Sequence, residues 1–287
     1  MDRNHLARPG VWGYGITPAS VGEWEHPLAR KQDIMRGTQH AFTVITVAIA
    51  ALAPAAAATA AAASSPPAWS RAQVAIAHVR VKATIPVGSK PIGVAANPRT
   101  NRIYVSNSRG KTVSVISGRT NKVVATIPVG RLPVGVATNP RTNTIYVTNE
   151  KRSGTVSVIS GRTNTVVARA RVGFFPVAVA TNPRTNTIYV SNSRGKTVSV
   201  ISGRTNEVVA RVHGGFEAAF GIATNPRTNR IYVADGGDET WVISGRRNTV
   251  VAKVRVGSEP VGVTANLRTN TIYVTNIGGN TVSVLVS

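Results

Sequence analysis

Nine arginines recur at two fixed places in a repeated pattern, and they carry the clearest chemistry in this chain. Five sit in turns of the form Asn-Pro-Arg-Thr-Asn, or its near copy Asn266-Leu267-Arg268-Thr269-Asn270: Arg99, Arg141, Arg184, Arg227 and Arg268. Four follow a glycine in a second turn: Arg119, Arg162, Arg204 and Arg246, the last with Arg247 beside it. A guanidinium is planar and permanently charged, and its fork of donors matches phosphate, sulfate and carboxylate. For any single arginine the plainer reading holds, namely that it hydrogen-bonds local carbonyls and recurs because its turn was copied. For the set, an anionic preference is favoured, because acids are scarce. The formal net charge is +23, and from residue 64 onward 29 Lys and Arg stand against 7 Asp and Glu. Self-repulsion of that size opposes folding and favours a polyanion or an anionic surface as partner. A secondary basic group lies in other loops: Arg109, Lys111, Lys151, Arg152, Arg194 and Lys196.

Catalytic chemistry is poorly represented. There are no cysteines, which excludes disulfides, thiol catalysis and cysteine-based metal sites. Beyond residue 63 the histidines are His78 and His213, and neither is in a metal-spaced cluster. Asp235-Gly236-Gly237-Asp238-Glu239 is the one acidic cluster; it lacks the spaced ligands of a calcium loop and reads as a solvated loop. Paired carboxylates and a phosphate-cradling glycine loop are not visible. No cofactor, metal or catalytic residue is assigned. The competing function is a propeller enzyme of lyase or hydrolase class. Its site would lie on the loop face of the third and fourth repeats, where Phe174, Phe175, Phe216, Glu217 and Trp241 depart from the repeat. The plainer reading of those departures is repaired packing in an imperfect repeat.

The elements that must hold the arginines follow from the repeat. Tyr104, Tyr146, Tyr189, Tyr232 and Tyr273 mark five copies with a period near 40. Short β-type runs at that period predict a β-propeller, one four-stranded blade per copy. In the second copy, Pro133–Thr138 reads as strand a, Thr144–Thr148 as strand b and Thr155–Ser160 as strand c, with strand d starting at Thr165. The Asn-Pro opening of the a–b turn suits a type I turn. In a meander the a–b and c–d turns share one end of each blade. Closure would therefore put both sets of arginines on one face, in two near-concentric arcs. Strand a should line the axis with small residues: Gly93, Gly135, Ala178, Gly221 and Gly262.

The last copy ends after strand c. The missing strand is written ahead of the first copy, where Val81–Gly88 matches Val123–Gly130. The expected fold is thus all-β, a five-bladed propeller whose fifth blade, 260–287, is completed by roughly 79–87. That arrangement removes an open sheet edge.

The runs Ile-Tyr-Val-Thr-Asn and Thr-Val-Ser-Val-Ile-Ser resemble those of the YVTN-repeat β-propeller family, the YncE-like and surface-layer propellers, over about residues 79–287. The resemblance implies a propeller, an exported or cell-surface setting and a binding or structural role, with no catalytic residues. Propellers of this family usually have seven blades, whereas five copies are present here. Either the five close alone, as the strand exchange favours, or the array pairs with another chain.

Residues 1–63 read as a leader with a secretory signal peptide, an uncleaved membrane anchor being the alternative. Ala41–Ala53 is apolar and ends at Pro54, small residues follow, and Met35 offers a start with a short basic segment before the apolar run. Residues 64–75 read as a linker and 76–287 as the propeller. The expectation is a secreted, extracellular or cell-envelope protein, a monomeric ring, non-catalytic, and a binding or scaffold module. Its partner would be a cell-envelope polyanion or an acidic glycan. Nucleic acid is less favoured because the turns lack stacking aromatics; a protein partner stays open.

Overall fold

Each repeat supplies four runs rich in Val, Ile, Thr and Tyr, each closed by Asn, Gly or Pro. Such runs suit pleated strands, and the closing residues suit tight turns. The computed structural model describes residues 80–286, and there every such run from Pro91 onward is a strand. The first sheet is β1 (Pro91–Asn97), β2 (Arg102–Asn107), β3 (Thr112–Ser117) and β4 (Lys122–Pro128). The second is β5 (Pro133–Asn139), β6 (Thr144–Asn149), β7 (Thr155–Ser160) and β8 (Thr165–Arg171). The third is β9 (Pro176–Asn182), β10 (Thr187–Asn192), β11 (Thr197–Ser202) and β12 (Val208–His213). The fourth is β13 (Ala219–Asn225), β14 (Arg230–Asp235), β15 (Glu239–Ser244) and β16 (Thr249–Arg255). The fifth has β17 (Pro260–Asn266), β18 (Thr271–Asn276) and β19 (Thr281–Val286). Strands pair antiparallel in chain order within each sheet, and the described residues contain no helix. The fold is all-β and β-propeller-like. The leader and linker, 1–63 and 64–75, lie outside the described residues.

Successive sheets pack face to face, and one set of side chains serves at each boundary. Between the first and second sheets, Tyr104, Val113 and Val115 meet Val136, Ile145 and Val147. The next boundary repeats this with Tyr146, Val156 and Val158 against Val179, Ile188 and Val190. Tyr189 and Tyr232 take the same part at the third and fourth boundaries. Each of the four boundaries thus sets the tyrosine face of one sheet against the isoleucine–valine face of the next. This explains why strands b and c are apolar on both pleat faces. Burying each such side chain contributes about 1.5–3 kcal/mol.

The inner strands are held close by hydroxyls. A bulge early in β1 leaves the Gly93 N–H free to donate to Ser106 Oγ at 2.9 Å, and Ser106 Oγ donates onward to the Val134 carbonyl of the second sheet at 2.7 Å. Thr148 repeats the link, accepting from Gly135 N at 2.8 Å and donating to Val177 O at 3.0 Å. Space for a side chain is tight at the two glycines, although the third sheet makes the same link with Ala178, whose N–H donates to Ser191 Oγ at 3.2 Å. A Cβ on Gly93 would lie 2.2 Å from Val134 O, and one on Gly135 2.5 Å from Val177 O.

The closure expected from the sequence is absent from the described residues. The fifth sheet has three strands, residues 80–87 form no strand, and Val81 is 82% exposed. The reason lies in the packing order. β1 packs on β5, β5 on β9, β9 on β13 and β13 on β17, and the series stops there. Among the described residues the fifth sheet makes no comparable packing on the first, and the segment ahead of β1 adds no strand to β19.

Candidate anion-binding face

The turn between the first two strands of a sheet is built by its two asparagines. Asn97 Oδ1 accepts the Arg99 N–H at 3.1 Å, an Asx turn that Pro98 pre-sets. Asn139, Asn182, Asn225 and Asn266 hold Arg141, Arg184, Arg227 and Arg268 in the same way, at 3.0–3.1 Å. The closing asparagine is left-handed in every copy: Asn101, Asn143, Asn186, Asn229 and Asn270 have φ of 49°, 54°, 53°, 52° and 58°. Asparagine tolerates this conformation better than most residues.

Both asparagines then reach outside their turn. The Asn101 carbonyl accepts the Gly118 N–H at 2.9 Å, and Asn143, Asn186 and Asn229 accept from Gly161, Gly203 and Gly245 at 2.8–2.9 Å. Each of these glycines opens the second arginine turn. Arg99 and Arg119 are therefore on one face, as are Arg141 with Arg162, Arg184 with Arg204, and Arg227 with Arg246 and Arg247. Across each boundary the side chains pair as well. Asn97 Nδ2 donates to Asn143 Oδ1 at 2.9 Å, Asn139 to Asn186 at 2.8 Å, Asn182 to Asn229 at 2.8 Å and Asn225 to Asn270 at 2.6 Å. This belt fixes the spacing of the arginine turns along the series of sheets. Sequence reading missed it, although the constant pair of asparagines flanking each arginine was the signal.

All nine arginines, and Arg247, are exposed. Two of them bridge to the turn of the next sheet rather than to the local carbonyls of the plainer reading: Arg99 Nη1 donates to Arg141 O at 3.2 Å, and Arg227 Nη1 to Leu267 O at 2.7 Å and Arg268 O at 3.4 Å. A guanidinium has five donors, so bonds made through one Nη leave most of the fork for a ligand. Shallow clefts open where the two turn types meet. One of about 200 Å³ lies between Asn186, Arg204 and Asn248. Another of about 380 Å³ is bordered by Asn229, Arg230, Arg246 and Arg247. Their chemistry is that of open cationic troughs and suits extended anions.

The secondary basic group, Arg109, Lys111, Lys151, Arg152, Arg194 and Lys196, is exposed at the other end of the sheets. There the loops between second and third strands meet the connections between sheets, with Ser108 N donating to Lys90 O at 2.8 Å and Ser193 N to Phe175 O at 3.0 Å. Arg194 stacks over the Phe175 ring at 4.4 Å. Glu150 sits half-buried in this region; burial raises its pKa, and Arg194 and Lys90 partly offset that.

The residues that depart from the repeat in the fourth sheet pack together. Phe216 and Trp241 are 1% and 2% exposed, with ring centroids 4.6 Å apart. Phe174 and Glu217 are exposed. Asp235 is buried rather than solvated, a correction to the reading of the acidic loop. Its carboxylate accepts the Glu217 and Ala218 N–H groups at 3.0 and 2.7 Å. Burial raises its pKa despite those donors, and the charges of Glu217 and Glu239 add to the rise. Asp238 accepts from Glu259 N at 3.0 Å, and Glu239 faces Lys253 at 4.0 Å. These carboxylates are engaged with the protein itself. Among the described residues no group of three or more His, Asp and Glu is placed to hold a metal ion.

No protein-family model matches the chain, and no curated protein matches it. Solved structures do. One, described as a functionally unknown protein from Desulfotomaculum acetoxidans, is 16% identical over 69% of this chain and 70% of its own, with a TM-score of 0.61. Another, hydrazine synthase from Kuenenia stuttgartiensis, is 14% identical over 73% of this chain and 99% of its own, with a TM-score of 0.45. At such identities the first likeness speaks to fold alone, and the second carries no argument.

Proposed function

We propose that this chain is an exported, non-catalytic binding or scaffold protein of the YVTN-repeat propeller type, and that its arginine face engages an anionic polymer or envelope surface. The observation that carries the reading is the asparagine belt. It ties five turn arginines, and the second set beside them, to one face at the spacing of the sheets. A polymer with regularly spaced negative charge would meet a matching row of forks, each bond adding little and the row adding up. The large cationic excess supports the same reading, because it leaves most of these groups without acidic partners inside the chain. The ligand class is a phosphate- or sulfate-bearing polymer of the envelope, such as a teichoic acid or an acidic glycan. DNA or RNA is less favoured because aromatic platforms are lacking.

Binding to poly(glycerol phosphate), a sulfated polysaccharide, DNA and a neutral glycan, each at low and high salt, tests this. Binding to the polyanions that weakens steeply with salt is the expected result. Failure to bind any polyanion at low salt would overturn it.

A further inference from the structure

We propose that the open face of the fifth sheet binds the first sheet of a second copy of this chain, head to tail, and that residues 81–87 of that copy add the fourth strand to β19. The proposal does not depend on the anionic ligand.

The interface in question is already built four times within the chain, and its two halves are left open at the two ends. On the fifth sheet, Tyr273, Val282 and Val284 hold the positions that Tyr104, Val113 and Val115 bury against the next sheet. Here they are exposed, Val284 to 58%. On the first sheet, Val94 holds the position of the buried Val136 and is 41% exposed.

The polar links are open in the same pairs. Asn266 matches Asn97, Asn139, Asn182 and Asn225, whose amides donate across a boundary, but Asn266 is exposed and the next closing asparagine in sequence would be Asn101 of another copy. Thr275 accepts from Gly262 N at 2.9 Å, as Ser106 accepts from Gly93, yet the carbonyl of a following sheet is not there to receive its proton. The equivalent carbonyl would be that of Ile92. Gly262 also lacks the facing backbone that Gly93, Gly135 and Gly221 have: a Cβ there would meet the Thr275 side chain of its own sheet and no carbonyl of a following one.

The segment ahead of β1 is already set for this docking. Lys90 has φ 56°, as Leu132, Phe175 and Glu259 do at 51°, 52° and 52° in the connections between sheets. Its carbonyl accepts the Ser108 N–H at 2.8 Å, as the Leu132 carbonyl accepts from Glu150 at 2.9 Å. Gly88 lies against the Asn107 side chain as Gly130 lies against Asn149. The chain at 88–90 thus follows the path of a connection that arrives from a preceding sheet. Val81–Gly88 is identical to Val123–Gly130 except for Lys82 in place of Val124, and Val124 is on the exposed side of β4. On β3, Ile127 lies opposite Val113, Thr126 opposite Ser114 and Ala125 opposite Val115. By the same register Ile85 pairs with Val282, Thr84 with Ser283 and Ala83 with Val284.

The occupant is a second copy because the chain's own fifth sheet is four boundaries away and does not pack on the first. Repetition of one head-to-tail contact gives a closed assembly if the rotation closes and a filament if it does not. In either case it covers the edge of β19, which otherwise templates unspecific strand addition.

The absence of native cysteines makes the test clean. Ala83→Cys and Val284→Cys are introduced in separate full-length chains, mixed, and oxidised; facing residues of antiparallel strands have Cα separations within disulfide range. A disulfide-linked dimer containing one chain of each kind is expected, together with a native mass by light scattering that is a multiple of the chain. Val282→Glu should reduce that mass to the monomer with an unchanged β-type circular dichroism spectrum, which separates lost docking from lost folding. A monomeric wild-type chain, with a cross-link only in the double variant and then within one chain, would overturn the proposal in favour of self-closure. The lack of any cross-link in either format would overturn it as well.

Discussion

Asn139 donates its side-chain amide to Asn186 Oδ1 at 2.8 Å across the boundary between the second and third sheets, while its own Oδ1 holds the Arg141 N–H at 3.1 Å. One side chain thus shapes an arginine turn and fixes its distance from the next. Replacing Asn139 with Ala removes both bonds and strands Asn186. The expected cost is about 1–3 kcal/mol, or about 2–4 °C in Tm per kcal/mol for a domain of this size. Asn266→Ala should cost less in the isolated chain, because Asn266 shapes its turn without pairing onward. Thermal melts of the two variants check this; equal losses would count against the belt.

A second contrast separates the inner glycines. A Cβ at Gly135 would lie 2.5 Å from a backbone carbonyl of the next sheet, whereas at Gly262 it would meet only the Thr275 side chain. Gly135→Ala should therefore destabilise by roughly 1–3 kcal/mol, as overpacking does, and Gly262→Ala by clearly less. Denaturant midpoints at constant m-value decide between them.

The repeat tyrosines carry a cost that can be removed. The hydroxyls of Tyr104, Tyr146, Tyr189 and Tyr232 are buried without a hydrogen-bond partner. Thr144 lies close enough to Tyr146 to favour its ionised form slightly, without good hydrogen-bond geometry, and burial still pushes the Tyr146 pKa up to about 12. Tyr146→Phe keeps the packing and deletes an unpaired hydroxyl, so stability should be unchanged or higher. Loss of more than about 1 kcal/mol would show a bond that the structure lacks.

The pH dependence of stability should carry the mark of Asp235. Burial raises its folded pKa above the ordinary 3.8, so the protonated carboxyl is the form the fold favours. Its contribution is therefore full below 3.8 and is lost as pH rises through the raised value. Asp235→Asn should flatten the fall in Tm that begins above 3.8 and ends once pH has passed the raised value. A smaller slope of the same sign should remain from Glu150, whose pKa burial also raises. A steeper fall in the variant would contradict this assignment.

Much of this was legible in the sequence, because repetition turned local rules into a global one. The strands of the second sheet lie within a few residues of where the runs of Val, Ile and Thr place them, and the two arginine turns share a face as a meander requires. The belt was harder to see: Asn97 and Asn143 are 46 residues apart, and only packed sheets show that they touch. Asp235 stands where other copies have asparagine, a position buried in every sheet, which the turn-like Asp-Gly-Gly-Asp spelling hides; Trp241 packs on Phe216, a pairing that spacing cannot reveal. Closure was misjudged for a related reason. The match of Val81–Gly88 to a fourth strand is written in the residues, but whether that strand reaches its own last sheet depends on the angle between successive sheets, and side-chain types do not record that angle.

The central claim is that the arginine turns, and not charge in general, recognise an anionic polymer. Two variants of similar charge loss test it most directly: one with Arg99, Arg141, Arg184, Arg227 and Arg268 changed to Gln, the other with Arg109, Lys111, Lys151, Arg152 and Arg194 changed to Gln. Affinity for a phosphate polymer is measured against salt for both. On duplex DNA each lost phosphate contact would flatten the slope of log K against log salt by about 0.9. The account predicts that the first variant loses at least tenfold in affinity and most of its salt dependence, while the second stays close to the parent chain. Equal losses in both variants, or a larger loss in the second, would contradict it.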